Sequence, residues 1–153
     1  MELREFVQEN ELIDPRSTDL VENYYKEYSV RSEKDMLSHC FSLQASFMEM
    51  LRADGRFPKW PLDLSSKEEQ RQLQTYLWDT VREISEASAA LKNRIHRVKE
   101  EPFMRQDFLE EMGDAFAFFM ESLLLAGFTA EDLYKEYKRK NFHVTCALLT
   151  KER

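Results

Sequence analysis

Glycine and proline are scarce in this chain, and their scarcity limits the folds that it can adopt. The 153 residues include three glycines and four prolines, the two residues that most often form turns and interrupt regular elements. A fold of many short strands needs a turn roughly every ten residues. Long helices with few connections fit the sequence better. With 42% hydrophobic and 33% charged residues, residues 1–153 are predicted to form one globular domain.

Helical spacing of hydrophobic residues recurs in the N-terminal half. We predict a short helix within residues 1–16, and a second from Ser17 to about Tyr28. A third, longer helix is predicted from about Ser32 to Ala53, where Asp54-Gly55 ends it. Residues 1–30 can be interpreted as an N-terminal extension of the domain.

Capping signals divide the C-terminal half into three further helices. Ser65 and Ser66 each precede a glutamate by three residues, which is the capping-box pattern, and Gly127 is a C-cap candidate. The helices are predicted, in order, from Ser65 or Ser66 to about Val98, from about Arg105 to Ala126, and from Thr129 onward. The fold class is therefore predicted to be all-α, an antiparallel bundle of about five to six helices.

Charge and composition exclude several classes of function. The net charge of −7 disfavours general binding to DNA or RNA, whose phosphates need a basic surface. No apolar run approaches the ~20 residues of a membrane span, and the N-terminus lacks the apolar core of a signal peptide. Cys40 and Cys146 have no metal-binding spacing and are interpreted as reduced thiols. We expect a cytoplasmic protein, in the host cytoplasm if the chain is phage-encoded.

Two acidic pairs have the spacing of helix neighbours, because residues three apart lie side by side. They are Glu83 with Glu86 and Glu111 with Asp114. On facing antiparallel helices these four carboxylates would surround one space, and carboxylate oxygens are the ligands that Mg²⁺ prefers. Such pairs also arise by chance, since 29 of the 153 residues are acidic. Most of them are solvated surface.

A helical wheel distinguishes the two pairs. Glu111 and Asp114 share a stripe with Phe118 and Leu125, so both are predicted to be partly buried and to need a partner such as a metal ion. Gly113 between them suggests the close approach of another group, since glycine inside a helix costs ~1 kcal/mol relative to alanine. Glu83 and Glu86 point away from the apolar stripe of their own helix.

The order E-x-x-E at 83–86, 24 intervening residues and E-x-x-D at 111–114 resembles the all-α nucleoside triphosphate pyrophosphatase superfamily. That superfamily includes MazG proteins, dimeric dUTPases and phage dCTPase-dUTPases. Three further strings resemble the phage branch: Asp114-Ala-Phe-Ala-Phe-Phe-Met, Ala126-Gly-Phe-Thr-Ala-Glu-Asp-Leu and Tyr137-Lys-Arg-Lys-Asn141. Gln44 stands where dimeric dUTPases carry a base-contacting glutamine. The resemblance covers roughly residues 35–145.

The resemblance implies an enzyme that hydrolyses a nucleoside triphosphate to the monophosphate and pyrophosphate. Glu83, Glu86, Glu111 and Asp114 would hold two or more Mg²⁺ ions, which Mn²⁺ can replace. Glu83 or Glu86 would act in catalysis by positioning the attacking water or taking its proton. Substrate contacts are expected from Gln44, Trp60, Arg94, Phe118, Lys140 and Asn141. Members are dimers or tetramers, so a homodimer or homotetramer is expected, with no nucleic acid polymer or membrane as partner.

Departures from the dUTPase pattern leave the base open. Ala117 stands where that pattern has histidine, and Val144 and Ala147 stand where its tail has asparagine and arginine. The aromatic motif Phe57-Pro-Lys-Trp60 precedes the first acidic helix instead of following it. Pyrimidine, purine and modified or damaged nucleotides all remain candidate substrates. The alternative of another class is a non-catalytic helical bundle that binds a second protein through its surface.

Overall fold

The computed structural model describes residues 35–92, 95, 96 and 98–151, with side chains up to residue 146. Within these residues there are four helices and no strand. The helices are α1 (Met36–Ala53), α2 (Lys67–Ala89), α3 (Arg105–Leu125) and α4 (Ala130–Lys151). The all-α prediction is confirmed for this part of the chain. The helices predicted within 1–16 and from Ser17 lie outside the described residues, so the predicted total of five to six is not confirmed.

The chain divides into two compact units, Met1–Met36 and Leu37–Arg153. Almost every described residue belongs to the second unit. Among the described residues no single helix is long and apolar enough to cross a membrane, although α3 and Ala130–Cys146, bent at their junction, meet the length and composition criteria as a pair. Cys40 and Cys146 are not joined by a disulfide.

Side-chain caps begin α2 and α4 where the sequence predicts them. Of the two predicted serines, Ser66 is the N-cap, and its Oγ accepts a hydrogen bond from the Glu69 amide at 3.4 Å. Thr129 and Asp132 cap α4 reciprocally, with the Asp132 amide donating to Thr129 Oγ1 at 3.2 Å and the Thr129 amide donating to Asp132 Oδ2 at 2.9 Å. These bonds satisfy amides that the first turn of a helix leaves unpaired.

Glycines with positive φ end α1 and α3. Gly55 has φ of 71° and Gly127 has φ of 84°, a region that side-chain-bearing residues rarely adopt. At the second site the Phe128 amide donates to the Leu123 carbonyl at 2.9 Å and the Gly127 amide to the Leu124 carbonyl at 3.0 Å. This is the Schellman arrangement, and it confirms the predicted C-cap.

The helix that begins after Ser66 was predicted to continue to about Val98. That prediction is wrong, because the helix, α2, ends at Ala89. The amides of Ala90 and Leu91 donate to carbonyls three residues back, which tightens the last turn and ends the helix. Ile95 and Val98 continue the helical spacing in sequence, but both are fully exposed. A helix whose apolar face packs on nothing gains little stability from its spacing alone.

Helices α2 and α3 pack closely along their length and run antiparallel. Glu86 of α2 acts electrostatically on Glu111 near the start of α3. Asp79, seven residues earlier in α2, acts on Glu121, ten residues later in α3. The contacts therefore run in opposite directions along the two chains, which confirms the antiparallel arrangement for this pair.

The hydrophobic core lies at the C-terminal end of α3. Side chains from α1, α3, α4 and the loop before α2 form one buried cluster: Phe41, Met48, Leu62, Met120, Leu124, Leu125 and Ala130. The loop is attached to this end because the Leu62 amide donates to the Leu125 carbonyl at 2.8 Å. The core thus fixes one end of the α2–α3 pair, and Glu86 and Glu111 lie toward the other end.

Candidate metal centre

Three carboxylates from α2 and α3 meet at one place. Glu83 and Glu86 lie one turn apart on α2, and Glu111 faces them from α3. One oxygen from each lies within 4.8 Å of the others, and of the described residues this is the one group of three or more acidic, histidine or cysteine side chains spaced to hold a metal ion. The antiparallel packing of the two helices brings these distant sequence positions together.

The burial of these side chains is graded. Glu83 is 7% exposed, Glu111 is half-buried, and Glu86 is exposed. On α2 the small residues Ala87 and Ala90 are buried beside Glu83, which lets α3 approach closely. The apolar stripe of α2 that includes Leu77, Val81 and Ile84 is instead about half exposed. Glu83 therefore lies on the inner face of α2, which the sequence pattern did not indicate.

Asp114 does not join the three-carboxylate group. Its side chain is exposed, so the prediction that it is partly buried is wrong, while the same prediction for Glu111 is confirmed. Asp114 nevertheless lies close enough to raise the pKa of Glu111. Gly113 does not mark a close approach, since a Cβ placed there would meet nothing within 4 Å among the described residues.

Negative charge accumulates at this place. The pKa of Glu111 is raised above its ordinary value, first by partial burial and then by the charges of Glu86, Glu83, Asp114 and Glu110. Each of these effects penalises the ionised carboxylate. A cation bound between the helices would remove the penalty by pairing with the charges.

Arg82 supplies part of that compensation within the chain. Its Nη2 donates to Glu83 Oε1 at 2.7 Å and its Nε donates to the same oxygen at 3.2 Å. The guanidinium also lies 2.9 Å from Asp79 and 3.7 Å from Glu86. Arg82 is absent from the residues predicted from sequence. Its spacing of three and four residues from Asp79 and Glu86 on one helix was the available signal.

Of the predicted substrate contacts, Phe118 lies near the three carboxylates and Gln44 lies near the hydrophobic core. The Phe118 ring is half-buried on α3, and the Arg82 guanidinium carbon lies 5.8 Å from its centroid. Gln44 is half-buried on α1 between the buried residues Phe41 and Met48, three and four residues away on the same face. Phe118 is thus joined to the carboxylates through Arg82, and Gln44 faces the core cluster.

The remaining predicted contacts are more distant or not described. Trp60 packs against the core cluster, and its indole nitrogen is buried without a hydrogen-bond partner among the described residues. Lys140 and Asn141 are exposed on α4, where Lys140 acts on Glu136 of the same helix. No ion pair or hydrogen bond found in the described part of the chain joins them to the carboxylates. Arg94 lies outside the described residues.

The three carboxylates fit a divalent ion with oxygen preference. Mg²⁺ holds its ligands at about 2.1 Å in an octahedron, so its ligand oxygens lie about 3–4 Å apart. The oxygens of Glu83, Glu86 and Glu111 are within 4.8 Å of one another, which requires only a small side-chain adjustment. Carboxylates alone, without thiolate or imidazole, favour Mg²⁺ or Mn²⁺ over zinc. Arg82 would have to release Glu83 Oε1 as the ion bound.

Comparison of the chain with protein-family models, with curated proteins and with solved structures finds no match. No family is therefore shown by similarity. Function has to be inferred from the geometry of the site and from the sequence pattern that places it.

Proposed function

We propose that this chain is a Mg²⁺-dependent nucleoside triphosphate pyrophosphohydrolase, releasing a nucleoside monophosphate and pyrophosphate. The observation that carries the proposal is the meeting of Glu83, Glu86 and Glu111 oxygens within 4.8 Å across two antiparallel helices. The E-x-x-E and E-x-x-D pattern supports it independently, because these acids belong to the motif that resembles the pyrophosphatase superfamily. Asp114, one turn after Glu111, would contact a second ion or a bound water.

The carboxylates would perform two tasks in this reaction. Glu83, Glu86 and Glu111 bind and orient the metal–triphosphate complex, which would bring the α-phosphorus next to the inner face of α2. Mg²⁺ supplies charge neutralisation and a more acidic bound water. Glu86 is the exposed member of the group, so its carboxylate is the better placed of the α2 pair to position a water or take its proton. Glu83 is buried, so its side chain has little freedom to move, which suits a fixed ligand.

Pyrophosphate release from a panel of ribo- and deoxynucleoside triphosphates tests the proposal. Wild-type protein with Mg²⁺ is expected to turn over at least one of them, and Glu111→Gln is expected to lower kcat by at least about a hundredfold. Glu110→Gln is the matched control, because it changes an exposed carboxylate next in sequence to Glu111. The control should retain most of the activity.

Failure would take one of two forms. Absence of turnover on every nucleotide, damaged bases included, would contradict catalysis and favour the alternative of a non-catalytic interaction module. Turnover that survives Glu111→Gln would place the reaction elsewhere in the chain. Circular dichroism and thermal unfolding of each variant establish that the fold persists.

We also propose that the protein self-associates through the outer face of α2. Leu77, Val81 and Ile84 are about half exposed there, and Trp78 is 70% exposed. A continuous apolar stripe of this kind usually marks an interface.

Analytical ultracentrifugation tests this part of the proposal. The wild type is expected to sediment as a dimer or tetramer, and Trp78→Arg should shift it toward the monomer. A wild type that stays monomeric at micromolar concentration contradicts self-association. It would indicate that the apolar stripe of α2 binds a different protein.

A further inference from the structure

Glu121 is a buried carboxylate without a partner. It lies on α3 and is 5% exposed, and no hydrogen bond or ion pair joins its side chain to any of the described residues. Asp79 and Tyr76 of α2 are its nearest ionisable neighbours, and Asp79 repels it. Asp79 is already engaged by Arg82 at 2.9 Å. Nothing in the described part of the chain neutralises Glu121.

Such a group is costly to the folded protein. A buried polar group without a partner is rare in proteins, and a buried charge is rarer. Burial raises the pKa of Glu121 to about 7, with a smaller contribution from Asp79. The one described polar atom sealed from solvent without a partner is Trp60 Nε1. The oxygens of Glu121, which also lack a partner among the described residues, therefore keep some contact with solvent.

Glu121 lies on the same helix as Glu111 and Asp114, farther toward the C-terminus of α3. It follows Asp114 by seven residues, which places the two about 10 Å apart along α3 and on nearly the same face. Glu111 and Glu121 both act on side chains of α2, so both ends of this face are turned toward the same helix. Phe118 and the guanidinium of Arg82 lie between them. Glu111, which belongs to the three-carboxylate group, precedes Glu121 by ten residues, or about 15 Å along α3, so a nucleotide whose phosphates lie at the carboxylates would extend its base toward Glu121.

Two further polar groups belong to the same end of the molecule. Trp60, with its unpartnered indole N–H, packs against the core cluster that includes Met120, the neighbour of Glu121. Gln44 lies on the face of α1 that contributes Phe41 and Met48 to this cluster. An indole donor and an amide thus adjoin the core cluster, and Glu121 follows Met120 of that cluster in sequence; an apolar region with a few polar groups is typical of a ligand site.

We propose that Glu121 recognises the base of the substrate and selects bases that carry an exocyclic amino group, namely cytosine, adenine and guanine, over uracil and thymine. This inference rests on the proposed function, because the triphosphate bound at the carboxylates fixes which part of the nucleotide reaches Glu121.

The chemistry of the carboxyl group gives the direction of selection. An amino group donates a hydrogen bond to a carboxyl oxygen whether Glu121 is protonated or ionised. The pairing edge of uracil or thymine has one N–H between two carbonyl oxygens. Those oxygens repel an ionised carboxylate, and a mismatched buried polar group is what gives strong discrimination between substrates. A glutamine, like the protonated form of Glu121, offers a donor to a carbonyl oxygen as well as an acceptor, so it would accept both kinds of base. Selection against uracil and thymine is therefore expected from ionised Glu121, and the comparison is made at about pH 8.5.

The test compares kcat and KM for dCTP, dATP, dGTP, dUTP and dTTP between wild type and Glu121→Gln. In the wild type, kcat/KM for at least one amino-bearing substrate should exceed that for dUTP and dTTP by about tenfold or more. In Glu121→Gln the ratio should fall severalfold, mainly through KM, because the variant changes base binding and leaves the carboxylates intact. Glu131→Gln, an exposed acid of α4, is the control and should keep the wild-type ratio.

The outcomes separate the two proposals. A wild type that prefers dUTP or dTTP to all amino-bearing substrates overturns the role of Glu121, even if the variant does not fold. An active Glu121→Gln with an unchanged substrate ratio overturns it as well and leaves the pyrophosphohydrolase proposal standing. A wild type that hydrolyses no nucleotide overturns the proposed function, and the assignment of Glu121 falls with it.

Discussion

Glu121 should make the stability of this protein depend on pH in a way that one substitution removes. Burial and the charge of Asp79 raise its pKa from 4.5 to about 7. Between these values the folded protein holds a proton that the unfolded chain has released. Stability contributed by this group is therefore complete below the unfolded pKa and is lost as the pH rises through the folded pKa.

The size of the effect follows from the two pKa values. At 1.36 kcal/mol per pKa unit, ionised Glu121 destabilises the fold by about 3 kcal/mol once the pH is well above 7. At about pH 5.5 the free energy of unfolding is only about 1 kcal/mol below its value at low pH, because the carboxyl of Glu121 is still protonated in the folded protein. Glu121→Gln keeps the shape of the side chain and carries no charge. Its stability relative to wild type should rise by about 2 kcal/mol between about pH 5.5 and about pH 8.5.

Urea unfolding of both proteins at these two pH values measures the difference. All other titrating groups are shared, so their contributions cancel when the variant is compared with wild type. Glu131→Gln is the surface control, where loss of an exposed ion pair with Lys135 should change stability by less than about 1 kcal/mol. If wild type and Glu121→Gln change in parallel between the two pH values, Glu121 is not a buried carboxyl of raised pKa.

Three further perturbations test other contacts. Arg82→Gln removes the cation that donates to Glu83 Oε1 at 2.7 Å and so competes with a metal ion for that oxygen. Calorimetry should show severalfold tighter Mn²⁺ binding, whereas weaker binding would mean that Arg82 assists the metal. Gly127→Ala should cost at least about 1 kcal/mol in urea unfolding, because φ is 84° and Pro61 Cβ would lie 3.4 Å from the new methyl group; an unchanged midpoint would contradict the C-cap. Ser66→Ala should lose about 1 kcal/mol through the missing cap of α2, and a neutral effect would contradict it.

Much of the fold could be predicted from local signals in the sequence. Ser66, Thr129, Gly55 and Gly127 begin or end helices where the pattern indicates, because caps depend on a few adjacent residues. The end of α2 was predicted wrongly because Ile95 and Val98 keep the helical spacing of the stripe. Spacing shows which residues share a face, but it does not show whether another element covers that face.

The candidate site shows the same distinction. The E-x-x-E and E-x-x-D spacing was enough to select Glu83, Glu86 and Glu111, which the antiparallel pair brings together. The apolar stripe of α2 suggested that its acids lie outside, whereas Glu83 is buried and Ile84 is exposed. Arg82 was missed although its spacing from Asp79 and Glu86 on one helix was an available signal. Glu121 had no such signal, because its burial depends on how the helices pack.

Hydrolysis in ¹⁸O-labelled water, followed by ³¹P NMR, tests the central claim most directly. A substrate that turns over with Mg²⁺ should yield pyrophosphate and a monophosphate that carries the label, because the carboxylates of Glu83, Glu86 and Glu111 are proposed to direct water to the α-phosphorus. Removal of Mg²⁺, or Glu111→Gln, should stop both products together. Release of orthophosphate, label in the pyrophosphate, or turnover without a divalent ion would contradict the account.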